Sequence, residues 1–177
     1  KHPTLALAYY NIGDVLFATK KYAEAITAYK MAIKLKPDYG KTHYNLGNLL
    51  FDIKMYEEAI TYYKMAIEIK PDFAETHNNL GNALSIERRT EEAIFHYKMA
   101  IKLKPNYAPT HYNLGNVLSA AEKYEEAVTH FRTAIELMPD YAVAHNNLGY
   151  ALMALGRTKE ADYHLKRVEE LREKYQK

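Results

Sequence analysis

The chain has 177 residues, 48% of them hydrophobic and 26% charged, the balance of an ordinary folded protein. With 24 basic and 22 acidic residues the net charge is +2, so no concentrated basic stripe exists and nucleic-acid binding is not expected. No apolar run approaches the roughly 18 residues a membrane span needs, no signal peptide opens the chain, and the lack of cysteine removes disulfides, thiolate metal sites and thiol nucleophiles. With no targeting signal in view, a cytoplasmic location is the expectation.

One period organises everything that follows. Gly13, Gly47, Gly81, Gly115 and Gly149 are spaced by 34 residues, and so are Ala25, Ala59, Ala93, Ala127 and Ala161. Pro37, Pro71, Pro105 and Pro139 keep the same step. A period of this length signals a stacked repeat array, which offers a continuous surface rather than one catalytic pocket.

In chain order, counting 34 back from Pro37 reaches Pro3, so residues 1–5 read as the remnant of a preceding repeat or a leader. Five units follow, at 6–39, 40–73, 74–107, 108–141 and 142–177. The second shows the logic. Leu46, Leu49 and Leu50 recur on one face of a first helix. After Met55, a second apolar face carries Ala59, Ile60, Tyr63, Ala66, Ile67 and Ile69, and Pro71 ends it. Each unit is thus a helix, a short turn and a second helix folded back on the first. Glycine inside a helix costs about 1 kcal/mol relative to alanine, so Gly47 is expected to permit close approach, opposite the small Ala59. The Glu57–Glu58, Glu91–Glu92 and Glu125–Glu126 pairs open second helices, where acidic residues favour the helix dipole. In the last unit Val168 and Glu169 replace Ala-Ile and Glu173 replaces proline. The final helix is therefore expected to run on and cap the array, with Lys166, Arg167, Glu169, Glu170, Arg172, Glu173 and Lys174 wetting its outer side.

Leu46, Gly47, Leu50, Tyr56, Ala59, Tyr63, Ala66 and Pro71 match the signature positions of the tetratricopeptide repeat, and the chain resembles that family over nearly its whole length. The resemblance implies an all-α, right-handed α-solenoid (a superhelix) of five helix-turn-helix units, with the first helix of each lining a concave groove. The chain departs from the family pattern at the fourth position, often tryptophan, where it has Tyr9, His43, His77, His111 and His145. Thr90 and Thr158 replace the tyrosine of the turn.

The candidate site is a double row of amides. Asn11, Asn45, Asn79, Asn113 and Asn147 hold the sixth position of the units; Asn48, Asn82 and Asn116 hold the ninth, with Asp14 and Tyr150 completing that row. Tyr10, Tyr44 and Tyr112, with Asn78 and Asn146, flank them at the fifth. Asparagine is a poor helix former, so the register needs another cause. A carboxamide pairs with a peptide N–H and C=O together. Rungs about 10 Å apart would meet about every third residue of an extended guest, which advances about 3.3 Å per residue. The same amides also suit a second role, hydrogen-bonding neighbouring helices to fix their stacking. The rows are similar to the asparagine-lined repeats of the O-linked N-acetylglucosamine transferase family, most closely at PDFAETHNNLGNAL, residues 71–84. In that family such amides contact the substrate backbone. The carboxylate clamp by which chaperone-binding tetratricopeptide domains grip acidic tails fits poorly, since tyrosine or asparagine stands at its fifth-position lysine, asparagine at its sixth-position arginine, and only Lys41 is basic at the second position.

The expected activity is non-catalytic binding of an extended peptide or flexible protein segment, with no cofactor and no metal. The four histidines lie one per repeat, too far apart to converge on zinc, and are expected to fill the half-buried slot usual for tryptophan. Two alternatives stand beside this one: a substrate-docking segment of a larger enzyme such as a glycosyltransferase, and a self-associating array joined through its exposed first helix.

Overall fold

The computed structural model describes residues 3–175. Lys1 and His2 of the expected leader, and Gln176 and Lys177 of the last unit, lie outside the described residues. Ten helices and no strand occur among those described, so the fold is an all-α repeat. In order they are α1 (Pro3–Ala18), α2 (Tyr22–Leu35), α3 (Gly40–Asp52), α4 (Tyr56–Ile69) and α5 (Ala74–Ile86), then α6 (Thr90–Leu103), α7 (Ala108–Ala120), α8 (Tyr124–Leu137), α9 (Ala142–Ala154) and α10 (Thr158–Tyr175). The chain forms two compact units, one ending at Arg89 and the other beginning at Thr90. In the first, α1 to α5 each pack on their chain neighbours, and the first helices α1, α3 and α5 also touch in succession. In the second, α6 to α10 pack the same way, with α7 touching α9.

Proline sets the helix ends as the period predicts. Lys36, Lys70 and Met138 precede Pro37, Pro71 and Pro139 and leave helical geometry, with ψ of 83, 87 and 85°. Where Glu173 stands in place of proline, α10 continues to Tyr175. Its inner side seals Val168 and Leu171, and Asp140 ties it down from the preceding turn through Arg167 at 3.2 Å and Lys174 at 2.7 Å.

The glycine at the centre of the first helix answers to a different neighbour than expected in the first, second and fourth repeats, while Gly149 in the fifth lies against Leu165. A Cβ on Gly47 would lie 2.7 Å from the Tyr63 ring; the same holds for Gly13 against Tyr29 at 2.5 Å and Gly115 against Phe131 at 2.6 Å. The fully buried Ala59 is not the partner; the aromatic ring four residues later is. A flat ring laid over a bare Cα fills the space that a methyl group would occupy.

Each first helix ends in the same way. Lys20, Lys54, Arg88, Glu122 and Gly156 all have positive φ, from 59 to 73°. Around Lys54, the Met55 N–H donates to Leu50 O and the Lys54 N–H to Phe51 O, the paired bonds of a Schellman turn that satisfy the last carbonyls. Left-handed geometry strains any residue with a Cβ, and only the fifth turn uses glycine. Lys54→Gly should therefore raise stability by about 0.5–1 kcal/mol, read as a higher Tm by circular dichroism, and Gly156→Lys should lower it by a similar amount. If both variants melt with the parent, the turns carry no strain.

Candidate functional site

The two asparagine rows meet and bond to each other. In the first unit, Asn79 Nδ2 donates to Asn48 Oδ1 at 3.0 Å and to the Tyr44 hydroxyl at 3.4 Å. One repeat earlier, Asn45 Nδ2 donates to Asp14 Oδ1 at 2.8 Å and to the Tyr10 hydroxyl at 3.0 Å. The second unit repeats the pattern, with Asn147 Nδ2 donating to Asn116 Oδ1 at 2.7 Å and to the Tyr112 hydroxyl at 3.3 Å. Both N–H groups of these sixth-position amides are thus satisfied by the adjoining first helix.

The sixth-position amides expected to meet a guest, Asn45, Asn79 and Asn147, already donate to the adjoining repeat, the second role open to them in the sequence. Sitting beside the next repeat's ninth position, each finds its acceptor there before any guest arrives. The fifth-position residues belong to the same network. Tyr10 is only 4% exposed, packs edge-on to Tyr39 at 5.5 Å and has the Lys41 ammonium 5.3 Å from its ring. Tyr44 rests on Phe73 at 4.9 Å and Tyr112 on Tyr141 at 5.1 Å. Where asparagine takes this place, Asn78 and Asn146 donate to Asn79 Oδ1 and Asn147 Oδ1, at 3.2 and 3.1 Å. Tyr10 and the buried Asn78 are framework rather than presented surface. Neither Asn82 nor Asn113 is free, and Asn11 is exposed.

The ninth position differs in what it leaves over. Asn48 Oδ1 accepts from Asn79 and also from the Tyr63 hydroxyl at 2.8 Å, yet its Nδ2 has no partner among the described residues. Asn116 likewise accepts through Oδ1 and has no described partner for Nδ2. Asp14 performs the accepting role in the first repeat, taking bonds from Asn45 and from the Tyr29 hydroxyl at 2.7 Å. Burial pushes the Tyr29 and Tyr63 phenols far above their ordinary range, and the Asp14 hydrogen bond adds to this at Tyr29, so both remain donors. Asn48 and Asn116, both half-buried, each line a pocket within their own unit. Phe17, Asn48, Phe51, Asp52, Tyr63, Asn79 and Asn82 line one of about 360 Å³. Asn116, Ser119, Ala120, Tyr124, Phe131, Asn147 and Tyr150 line the other. Tyr150, which completes the ninth row, is 60% exposed.

The fourth-position histidines are buried, 3–6% exposed, more deeply than expected of a tryptophan substitute. Nε2 of His43, His77, His111 and His145 lies 2.8–3.0 Å from the carbonyl of Pro37, Pro71, Pro105 and Pro139 in turn. A carbonyl only accepts, so each Nε2 carries the proton and each neutral ring offers Nδ1 as acceptor. Second-helix histidines supply the donor: His130 Nδ1 is 3.3 Å from His111 Nδ1, and His164 Nδ1 is 3.0 Å from His145 Nδ1. These partners were missed in the sequence, although each lies 19 residues after its mate. With the two nitrogens aimed at one another, a proton fits between them and a metal ion does not. No cluster of three or more potential metal ligands occurs among the described residues, and none of their helices is long and apolar enough to cross a membrane.

The first helix leaves an apolar face open. Ile12 and Val15 are 48% and 63% exposed, whereas Leu46 and Leu49, one repeat later, are fully covered.

Family models described as "TPR repeat" and "Tetratricopeptide repeat" match residues 13–54, 40–73, 74–107, 96–129, 115–156 and 142–175. Comparison with curated protein sequences found no match. Among solved structures, MamA is 29% identical with a TM-score of 0.90, the alignment covering 93% of this chain and 96% of that one. The MamA of Desulfovibrio magneticus RS-1, from its residue 41 onward, is 21% identical with a TM-score of 0.91, covering 96% of each chain. YrrB, described as a TPR protein with an unusual peptide-binding site, is 22% identical with a TM-score of 0.85, covering 94% of this chain and 86% of that one. At 21% and 22% identity the latter two speak to the fold alone.

Two expectations follow from this network. Asn79→Ala should cost about 1–2 kcal/mol of stability in thermal unfolding, because it strips a bond from Asn48 and one from Tyr44. Acid should also weaken the fold. Burial lowers the His130 and His164 pKa below 6.5, with His111 and Lys98 adding to the effect at His130 and His145 and Arg132 at His164, while Glu126 and Glu160 oppose it. A depressed histidine pKa means the unfolded chain binds the proton first. The stability these groups contribute is complete above pH 6.5 and lost as pH falls toward their folded values. Tm should therefore drop by a few degrees between pH 7.5 and pH 5, and equal values would dismiss the histidines as a source of acid sensitivity.

Proposed function

We propose that this chain, a member of the tetratricopeptide repeat family across residues 13–175, is a non-catalytic scaffold that holds an extended peptide or flexible protein segment along its first helices. The observation that carries this reading is the surplus donor at the ninth position. Stacking asks only for an acceptor there, as at Asp14, and Asn48 and Asn116, each with an Nδ2 that has no partner among the described residues, line a pocket. A side-chain N–H open to a groove suits the carbonyl of a guest backbone, which binds with weak demands on sequence. Tyr150 adds an exposed aromatic surface with a hydroxyl beside the second pocket. The guest-contacting set is therefore Asn48, Asn116 and Tyr150. Tyr10, Tyr44, Tyr112, Asn45, Asn78, Asn79 and Asn147 hold that set in register. A variant of this reading, in keeping with the resemblance stated for residues 71–84, makes the guest the substrate of an enzyme joined to this array.

Asn48→Asp with Asn116→Asp tests the proposal, because aspartate already serves at position 14 and preserves the accepting oxygen. Affinity for peptides selected from an unbiased display library, measured at 0.5 M salt to screen the added charge, should fall about tenfold at unchanged Tm. A folded double variant that binds as well as the parent would remove the ninth row from the mechanism.

A second reading, self-association, is favoured by the open α1 face at Ile12 and Val15. It predicts a concentration-dependent sedimentation coefficient that Val15→Lys abolishes; a parent that sediments as a monomer at high concentration would end it.

A further inference from the structure

Resting on the peptide-binding reading above, we infer that the pocket of the first unit accepts a basic side chain, lysine or arginine, from the bound segment. Its walls have the composition such a group requires. Phe17 and Phe51 supply two aromatic rings, and each ring is held by a neighbour: Phe17 by a tilted Tyr22 at 6.2 Å and Phe51 by Tyr56 in a T-shaped pair at 5.3 Å. Asp52 is the only charged residue in the lining, and no ion pair engages it among the described residues. Asn48 brings its unpartnered Nδ2 to the same pocket, where a guest carbonyl would leave its side chain between the two phenylalanines and Asp52.

The alternatives fit less well. An apolar side chain would cover the Asp52 carboxylate without pairing it, and desolvating an unpaired charge is costly. An acidic side chain would meet that carboxylate directly. A lysine or arginine lays its methylene stem along the rings, presents its cation to the ring faces and ends at the carboxylate. The second unit provides an internal contrast. At the same register, 68 residues on, Ser119 stands for Phe51 and Ala120 for Asp52, so that pocket, though it keeps other rings, has no charged residue in its lining. The two pockets thus differ in kind, and only that of the first unit has the composition a basic side chain requires.

The test is a random peptide display library selected on the whole protein and, in parallel, on Asp52→Asn. Asp52 is exposed, so the variant keeps its fold, which an unchanged Tm verifies. Peptides recovered by the parent should share a lysine or arginine at one position. Asp52→Asn should lose that enrichment and bind a parent-selected peptide about fivefold more weakly, and added salt should erase the difference. Recovered peptides without a shared basic position, or equal affinity for parent and variant, would overturn this inference while leaving the peptide-binding reading intact. Recovery of no peptide at all would overturn both.

Discussion

A single hydrogen bond, from the sixth-position carboxamide of one repeat to the ninth-position oxygen of the repeat before it, sets the spacing on which the candidate site depends. It occurs from Asn45 to Asp14 and from Asn79 to Asn48 in the first unit, and from Asn147 to Asn116 in the second. Leucine packing between helices tolerates small slips, because apolar contact has no direction. A half-buried amide does not, since a slip would leave a donor and an acceptor both unsatisfied. The bond therefore fixes register, and with it the distance between successive ninth-position side chains.

The glycine period and the asparagine period serve one arrangement. Because Gly13 and Gly47 have no Cβ, the rings of Tyr29 and Tyr63 lie against the first helix, and their hydroxyls then reach Asp14 and Asn48. A side chain at either glycine would push the ring away and cut that bond. In the fourth repeat Phe131 keeps the ring and loses the hydroxyl, so Asn116 accepts from Asn147 alone. The buried histidines add a clasp from outside this network, joining the first helices of the second to fifth repeats to the proline turns that precede them. Tryptophan in the same slot fills volume but its one N–H must find an acceptor elsewhere; histidine meets the turn and has a second nitrogen to spare. In the second unit that nitrogen pairs with His130 and His164, while in the first His43 Nδ1 has no partner because Tyr62 stands where those histidines would.

Single side chains divide their bonds between neighbours. Asn48 gives its oxygen to Asn79 and Tyr63, while Tyr63 gives its ring to Gly47 and its hydroxyl to Asn48. Such sharing holds the ninth-position side chains in place. Under the proposed function, those existing bonds would lower the ordering cost of gripping a flexible guest.

Local chemistry was legible in the sequence. The period of 34, the helix ends before Pro37 and Pro71, the continuation of the last helix past Glu173 and the all-α repeat fold all follow from residues acting on their immediate neighbours. The identity of distant partners was not. That Gly47 faces Tyr63 rather than Ala59, that His111 meets His130, and that Asn79 closes on Asn48 while the Nδ2 of Asn48 stays open are decisions of packing. A linear pattern states which residue types recur, and an amide at one helical register is equally suited to a neighbour or a guest. Only the tertiary structure, by bringing one acceptor within 3.0 Å of Asn79 Nδ2, decided that the sixth-position amides meet a neighbour, because the acceptor lies in the adjoining repeat, 31 residues away in sequence.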